Sequence, residues 1–151
     1  MEVKIKKLYG DSILPTKAHT TDAGYDLYAH SKSYDDDGNV VYGSGVAMEI
    51  PQGYVGLIFP RSSNAKKDLI LSNSVGVIDS GYRGEVLFKF KPSCILDEPN
   101  VAYLPETYKV YNVGERVGQI IIMPYPEIEF VEVDELRDSD RGDGGYGSSG
   151  K

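Results

Sequence analysis

Tryptophan is absent from the 151 residues, cysteine occurs once and histidine twice. With Cys94 alone there is no internal disulfide, so the fold must stand on packing, which suits a reducing, cytoplasmic setting. His19 and His30 have no carboxylate or cysteine partner at a metal-ligand spacing, which argues against a zinc centre and against Ser-His-Asp hydrolysis. The longest apolar stretch, around Ile120 to Met123, is far short of the roughly 20 residues that cross a membrane, and no membrane partner is expected. The opening MEVKIKKLYGD has no apolar core behind its lysines, so secretion is not indicated. Positive charge is in the minority, 16 Lys+Arg against 23 Asp+Glu for a net charge of −7. A broad grip on nucleic acid is therefore not expected, although a local basic pocket for a small anion is compatible with that balance.

What the chain has is punctuation. Its 17 glycines and 8 prolines are spread at short intervals and break up long helices. Between them lie short strand-like runs: Val3–Ile5, Gly45–Ile50 ending at Pro51, Tyr54–Phe59 ending at Pro60, and Glu85–Lys91, where Val86, Phe88 and Phe90 share one face. Val117–Met123 is nearly all apolar and reads as a strand buried on both faces. Ile128-Glu129-Phe130 alternates again. One short helix, Ser62–Asp68, is expected, with a serine cap. Asp35–Asn39 reads as a hairpin tip, and as a calcium loop it lacks a glutamate at the twelfth position, which is Val46. Many short strands without repeats or linkers predict one all-β domain, a sandwich, barrel or jelly roll.

Five segments carry more than packing requires. Thr21-Asp22-Ala23-Gly24-Tyr25-Asp26-Leu27 sets two acids around a glycine. Pro60-Arg61-Ser62-Ser63 places a guanidinium and two hydroxyls directly after a strand, a donor set suited to phosphate oxygens. Gly76-Val77-Ile78-Asp79-Ser80-Gly81-Tyr82-Arg83-Gly84 reads as a hairpin tip bearing an acid and an aromatic. Gly114-Glu115-Arg116-Val117-Gly118-Gln119 has a glycine inside an apolar strand, a mark of close approach to the backbone. The Gly-rich tail from Arg141 to Gly150 offers an arginine, hydroxyls and open backbone N–H groups, a phosphate clasp able to order on binding.

In this order the five segments resemble the motifs of the homotrimeric dUTPase family, from Asp22 to Gly150. The resemblance implies a β jelly roll assembled as a homotrimer, with active sites at subunit interfaces and parts drawn from all three chains. It implies an enzyme that hydrolyses dUTP to dUMP and pyrophosphate with Mg²⁺ on the triphosphate. Residues 1–140 would form the β domain and 141–151 an arm closing over the site. Asp79 matches the acid that activates the attacking water, and Tyr82 the aromatic under the deoxyribose that excludes ribose. Uracil would be read by backbone around Asn73 to Tyr82, including Gly76, Val77 and Ile78. Arg61, Ser62, Ser63 and Gln119 match phosphate-contacting positions, and Asp26 the acid that reaches waters around Mg²⁺. Arg116 falls at a structural position, in an interface ion pair. In the arm, Tyr146 stands where phenylalanine is usual and would stack on uracil, while Arg141, Gly147, Ser148 and Ser149 would meet the β- and γ-phosphates.

Gly81 replaces a second acid, Ser149 a threonine and Gly118 an alanine of that family pattern. The related dCTP deaminases share some of these motifs, but their catalytic glutamate would fall at Lys89. A non-catalytic nucleotide sensor on the same fold is the remaining alternative.

Overall fold

The structure is a computed structural model that describes residues 1–93 and 108–145. Among the described residues nine strands form two antiparallel sheets. They are β1 (Lys4–Lys7), β2 (Tyr25–Tyr28), β3 (Ser31–Tyr34), β4 (Val40–Glu49), β5 (Tyr54–Phe59), β6 (Leu69–Leu71), β7 (Gly76–Ile78), β8 (Glu85–Pro92) and β9 (Arg116–Pro124). One sheet runs β1-β4-β8-β6, with β3 also paired to β4, and the other runs β2-β9-β5-β7. From β4 onward successive strands alternate between the two sheets, so most of the pairing joins segments distant in sequence. The all-β class holds.

The core lies between the sheets, and period-two alternation supplies it. In β8, Val86, Phe88 and Phe90 are fully buried while Leu87 between them is exposed. They meet Leu27, Val40, Tyr42, Ile58, Val117 and Ile120 in a single cluster. Burial drives the phenol pKa of Tyr42 above its ordinary value, and its hydroxyl donates to the Tyr111 carbonyl at 2.9 Å. β9 is buried on both faces only in its first half, and Met123 is exposed.

Gly118 shows how closely the sheets approach. A Cβ on it would collide with the ring of Phe88 from the opposite sheet. Gly118→Ala is expected to destabilise the fold by about 1–3 kcal/mol, because a fully buried ring must leave its rotamer. Thermal unfolding of Gly118→Ala and of the double variant with Phe88→Leu checks this. The smaller side chain should restore most of the loss, and an unshifted midpoint in the single variant would show that the ring has room.

Three sequence expectations change. The Ser62 region forms a five-residue 3-10 helix, Ser62–Lys66, preceded by Arg61 and without a capping side chain. Ile128-Glu129-Phe130 forms no strand, and Ile128 and Phe130 are exposed, since alternation makes a strand only where a partner strand lies alongside. Asp79–Gly84 is not a hairpin tip: β7 pairs with β5 and β8 with β4 and β6, so this turn carries the chain from one sheet to the other. The Asp35–Asn39 tip does join β3 to β4. Its Asp35 carboxylate is held well below the usual range by Lys89 and by Asn39.

Candidate active site

Strand register assembles one group of polar residues. In the β2-β9-β5 ladder Asp26 lies opposite Gln119, and Gln119 opposite Phe59. The chain leaves β5 at Pro60 straight into Arg61 and Ser62, so three strands bring Asp26, Arg61, Ser62 and Gln119 to one sheet end. They line a pocket of about 360 Å³ together with Asp22 and Gly24. Both oxygens of Asp26 are engaged: Arg61 Nε donates to Oδ1 at 2.6 Å and Arg116 Nη1 to Oδ2 at 3.1 Å. One carboxylate thus orients two guanidinium groups, and the Arg61 fork beside the Ser62 hydroxyl is a donor set that suits phosphate oxygens.

Gln119 is fixed as firmly. Its Nε2 donates to the Pro60 carbonyl at 3.1 Å, and its side chain occupies the space a Cβ on Gly24 would take. Ser63 accepts from Arg61 Nη1 at 3.2 Å.

A second group gathers around β7. Asn73, Gly76, Val77, Ile78, Asp79 and Tyr82 line a pocket of about 230 Å³, with Ile58, Glu85 and Leu87. Asp79 is exposed at the start of the turn, and its carbonyl accepts from the Tyr82 N–H at 3.0 Å. Arg83 Nη1 staples the turn by donating to the carbonyls of Ser80 and Tyr82 at 2.6 and 2.9 Å. Tyr82 donates to the Glu85 carbonyl at 3.0 Å and lies so close over Gly84 that a Cβ there would clash with its ring. Before β7 the backbone is tight: Ser74 has φ of 60° and the Val75 N–H reaches the Asn73 carbonyl at 2.5 Å. An edge strand with this short turn before it leaves backbone donors and acceptors open on one side.

The two groups do not merge within one chain. Ile78 pairs with Gly56, three residues along β5 from Phe59, so its row lies about 10 Å from that of Asp26 and Gln119, with Asp79 beyond it. β2 and β7 are also the opposite edges of their sheet.

Most residues expected from the sequence therefore fall into two pockets. Arg141 does not: its Nε donates to the Gly144 carbonyl at 2.9 Å, within its own turn. Tyr146, Gly147, Ser148, Ser149 and Cys94 lie outside the described residues. Asp22, which had no role assigned from its motif, lines the first pocket and accepts the His19 N–H at 2.9 Å. Glu85 lines the second pocket, but its carboxylate serves the backbone. Its Oε1 accepts the Gly45 N–H at 2.6 Å, at a β4 bulge where Gly45 has φ of 71°.

Among the described residues no group of three or more His, Cys, Asp or Glu is placed to hold a metal ion. A Mg²⁺ carried mainly by phosphates and water needs no such cage of protein ligands. Among the same residues no helix is long and apolar enough to cross a membrane.

Comparison with known proteins gives these pockets a context. A family profile described as dUTPase matches residues 11–94 and 106–150. A deoxyuridine 5'-triphosphate nucleotidohydrolase of Corynebacterium glutamicum is 38% identical over 151 residues, covering 99% of this chain and 95% of the relative. The dUTPase of Staphylococcus bacteriophage 80alpha, solved with dUpNHpp, superposes with a TM-score of 0.81 at 31% identity, over 99% of each chain. A mutant dUTPase of phage phi11 of S. aureus, whose structure is described as revealing the coordination of a structural Mg(II) ion, gives 0.72 at 27% identity, over 90% of this chain and 99% of that one. With its ordered motifs, its two-sheet fold and its full-length relatives in agreement, this chain belongs to the dUTPase family.

Proposed function

We propose that this protein is a dUTP diphosphatase, hydrolysing dUTP to dUMP and pyrophosphate in a homotrimer. The full-length similarity to named deoxyuridine 5'-triphosphate nucleotidohydrolases carries the reading. The two pockets give it a chemistry. The group around Asp79 has a free carboxylate beside an aromatic and a backbone edge, suited to a uracil, a deoxyribose and a water. The group around Arg61 has the cations and amides suited to a phosphate chain. Their placement on opposite edges of one sheet fits an assembly in which a site takes one group from each of two subunits, and membership of the dUTPase family supports the trimer.

Asp79 holds and polarises water for in-line attack on the α-phosphorus, and the Tyr82 ring leaves no room for a 2′-hydroxyl. Narrow backbone readout rejects cytosine by its donor pattern and thymine by its methyl group. Arg61, Ser62, Ser63 and Gln119 bind phosphate oxygens. Bound Mg²⁺ would neutralise triphosphate charge, with Asp26 beside its waters. Residues 1–140 form the β domain, and the arm from Arg141 closes over the nucleotide, excluding water and adding Tyr146, Gly147, Ser148 and Ser149. The lone cysteine supports a cytoplasmic setting.

The deaminase alternative loses its acid–base group. Lys89 stands at that position and pairs with Asp35 at 2.8 Å, while the Glu85 carboxylate is taken by Gly45. A product assay tests the proposal: with Mg²⁺, dUTP alone among dUTP, dCTP, dTTP and UTP should yield its monophosphate and pyrophosphate. Deamination of dCTP, or dUTP binding without turnover, would overturn it.

A further inference from the structure

The turn that presents Arg61, Ser62 and Ser63 has little to hold it in place by itself. It is a single 3-10 helix of five residues, has no capping side chain and buries none of its residues. Hydrogen bonds in 3-10 helices are poorly aligned, so such a turn is a weak support for groups that must meet phosphate oxygens closely. Its rigidity has to come from outside.

Tyr111, far along the chain and only 2% exposed, supplies it. Its phenol donates to Asn64 Oδ1 at 3.1 Å, and Asn64 Nδ2 donates onward to the Leu69 carbonyl at 2.8 Å. Lys67, which follows the turn, sits 4.6 Å from the centre of the Tyr111 ring and donates to the Val110 carbonyl at 2.8 Å. The Tyr111 peptide is itself clamped to the core. The buried Tyr42 hydroxyl donates to its carbonyl at 2.9 Å and accepts from its N–H at 3.1 Å. Burial raises the Tyr111 phenol pKa, so the group stays a neutral donor. A continuous path therefore runs from Tyr42, near the start of β4, through the peptide and side chain of Tyr111 to the turn.

We propose that Tyr111 is a positioning residue for phosphate recognition: acting through Asn64, it fixes the Arg61–Ser63 turn against the core so that the turn binds the triphosphate pre-formed. This rests on the dUTP reading. It makes no contact between Tyr111 and nucleotide, and predicts an effect confined to the phosphate end of the ligand, because the β7 pocket shares none of these bonds.

The test compares Tyr111→Phe, Asn64→Ala and the double variant, using dUpNHpp and deoxyuridine, which has no phosphate, as ligands in titrations followed by calorimetry or NMR. Phenylalanine keeps the buried ring and removes one hydrogen bond. Tyr111→Phe is expected to weaken dUpNHpp about fivefold, leave deoxyuridine within about twofold, and raise KM for dUTP in parallel. Asn64→Ala should weaken dUpNHpp at least as much, and the double variant should be no worse than Asn64→Ala. Unchanged dUpNHpp affinity, equal losses for both ligands, or additive losses in the double variant would each overturn the inference and leave Tyr111 a core residue. Failure of the unsubstituted protein to bind dUpNHpp would overturn the dUTP reading, and the inference with it.

Discussion

Asp79→Asn is expected to lower the turnover of dUTP about 10³-fold while leaving unfolding temperature and nucleotide affinity close to those of the parent protein. Asparagine keeps the size and planarity of the side chain and removes its charge and its capacity to take a proton. The local frame does not depend on the carboxylate. The turn is closed by the Asp79 carbonyl and the Tyr82 N–H, and stapled by Arg83 on the carbonyls of Ser80 and Tyr82. Asp79 is exposed, and an exposed substitution with no cap, cavity or strained backbone behind it changes stability by about 0.5 kcal/mol or less. The loss should therefore fall on kcat, with KM little changed, since water activation belongs to the transition state. Steady-state kinetics with thermal unfolding of the same preparation decides the matter. Turnover near that of the parent would remove Asp79 from the chemistry. A large fall in unfolding temperature would make it a structural residue.

The parts of this arrangement legible in the sequence are those set by neighbours. β5 is bounded as expected, because Gly53 with its φ of 81° and Pro60 punctuate it locally. Val86, Phe88 and Phe90 show their common face by alternation alone. Motif order places most residues of both pockets, although no local rule joins segments as distant as Asp26, Arg61 and Gln119. Only the ladder register does that. The turn after β7 is instructive. An apolar run, a turn with Asp and Gly, and a second apolar run look the same whether the chain folds back within a sheet or crosses to the facing one. The choice is made by the partners, β5 for one strand and β4 for the other. Ile128-Glu129-Phe130 fails for the complementary reason: its pattern is that of a strand, but in this chain no ladder receives it. Tyr111 gave no signal, because its significance lies in Asn64, 47 residues away, and in Tyr42, 69 residues away.

Co-expressing two inactive variants should restore activity that neither possesses. Arg61→Ala removes a cation from the phosphate group of residues, and Asp79→Asn disables the other group. Each alone is expected to retain about 1% of activity or less, by loss of a charge-assisted phosphate contact or of the base. If each site takes its Asp79 group from one subunit and its Arg61 group from a neighbour, a mixed trimer contains sites whose two contributors are both intact. Random assembly of equal amounts makes such sites about one quarter of the total, so co-expression should return about a quarter of the parent activity. The geometry leads to this expectation. In one chain the two groups are about 10 Å or more apart along the strands, and β2 and β7 are opposite edges of the same sheet. Substitution at Arg61 also frees one oxygen of Asp26, but Arg116 remains on the other, so the carboxylate is not left unpaired and the fold should survive. The comparison that decides is between variants co-expressed and variants purified separately and then mixed under conditions where subunits do not exchange. Recovery only on co-expression places the two groups in different subunits of one site. No recovery in co-purified heterotrimers would show that a single chain supplies both, and the interface reading of the site would fall.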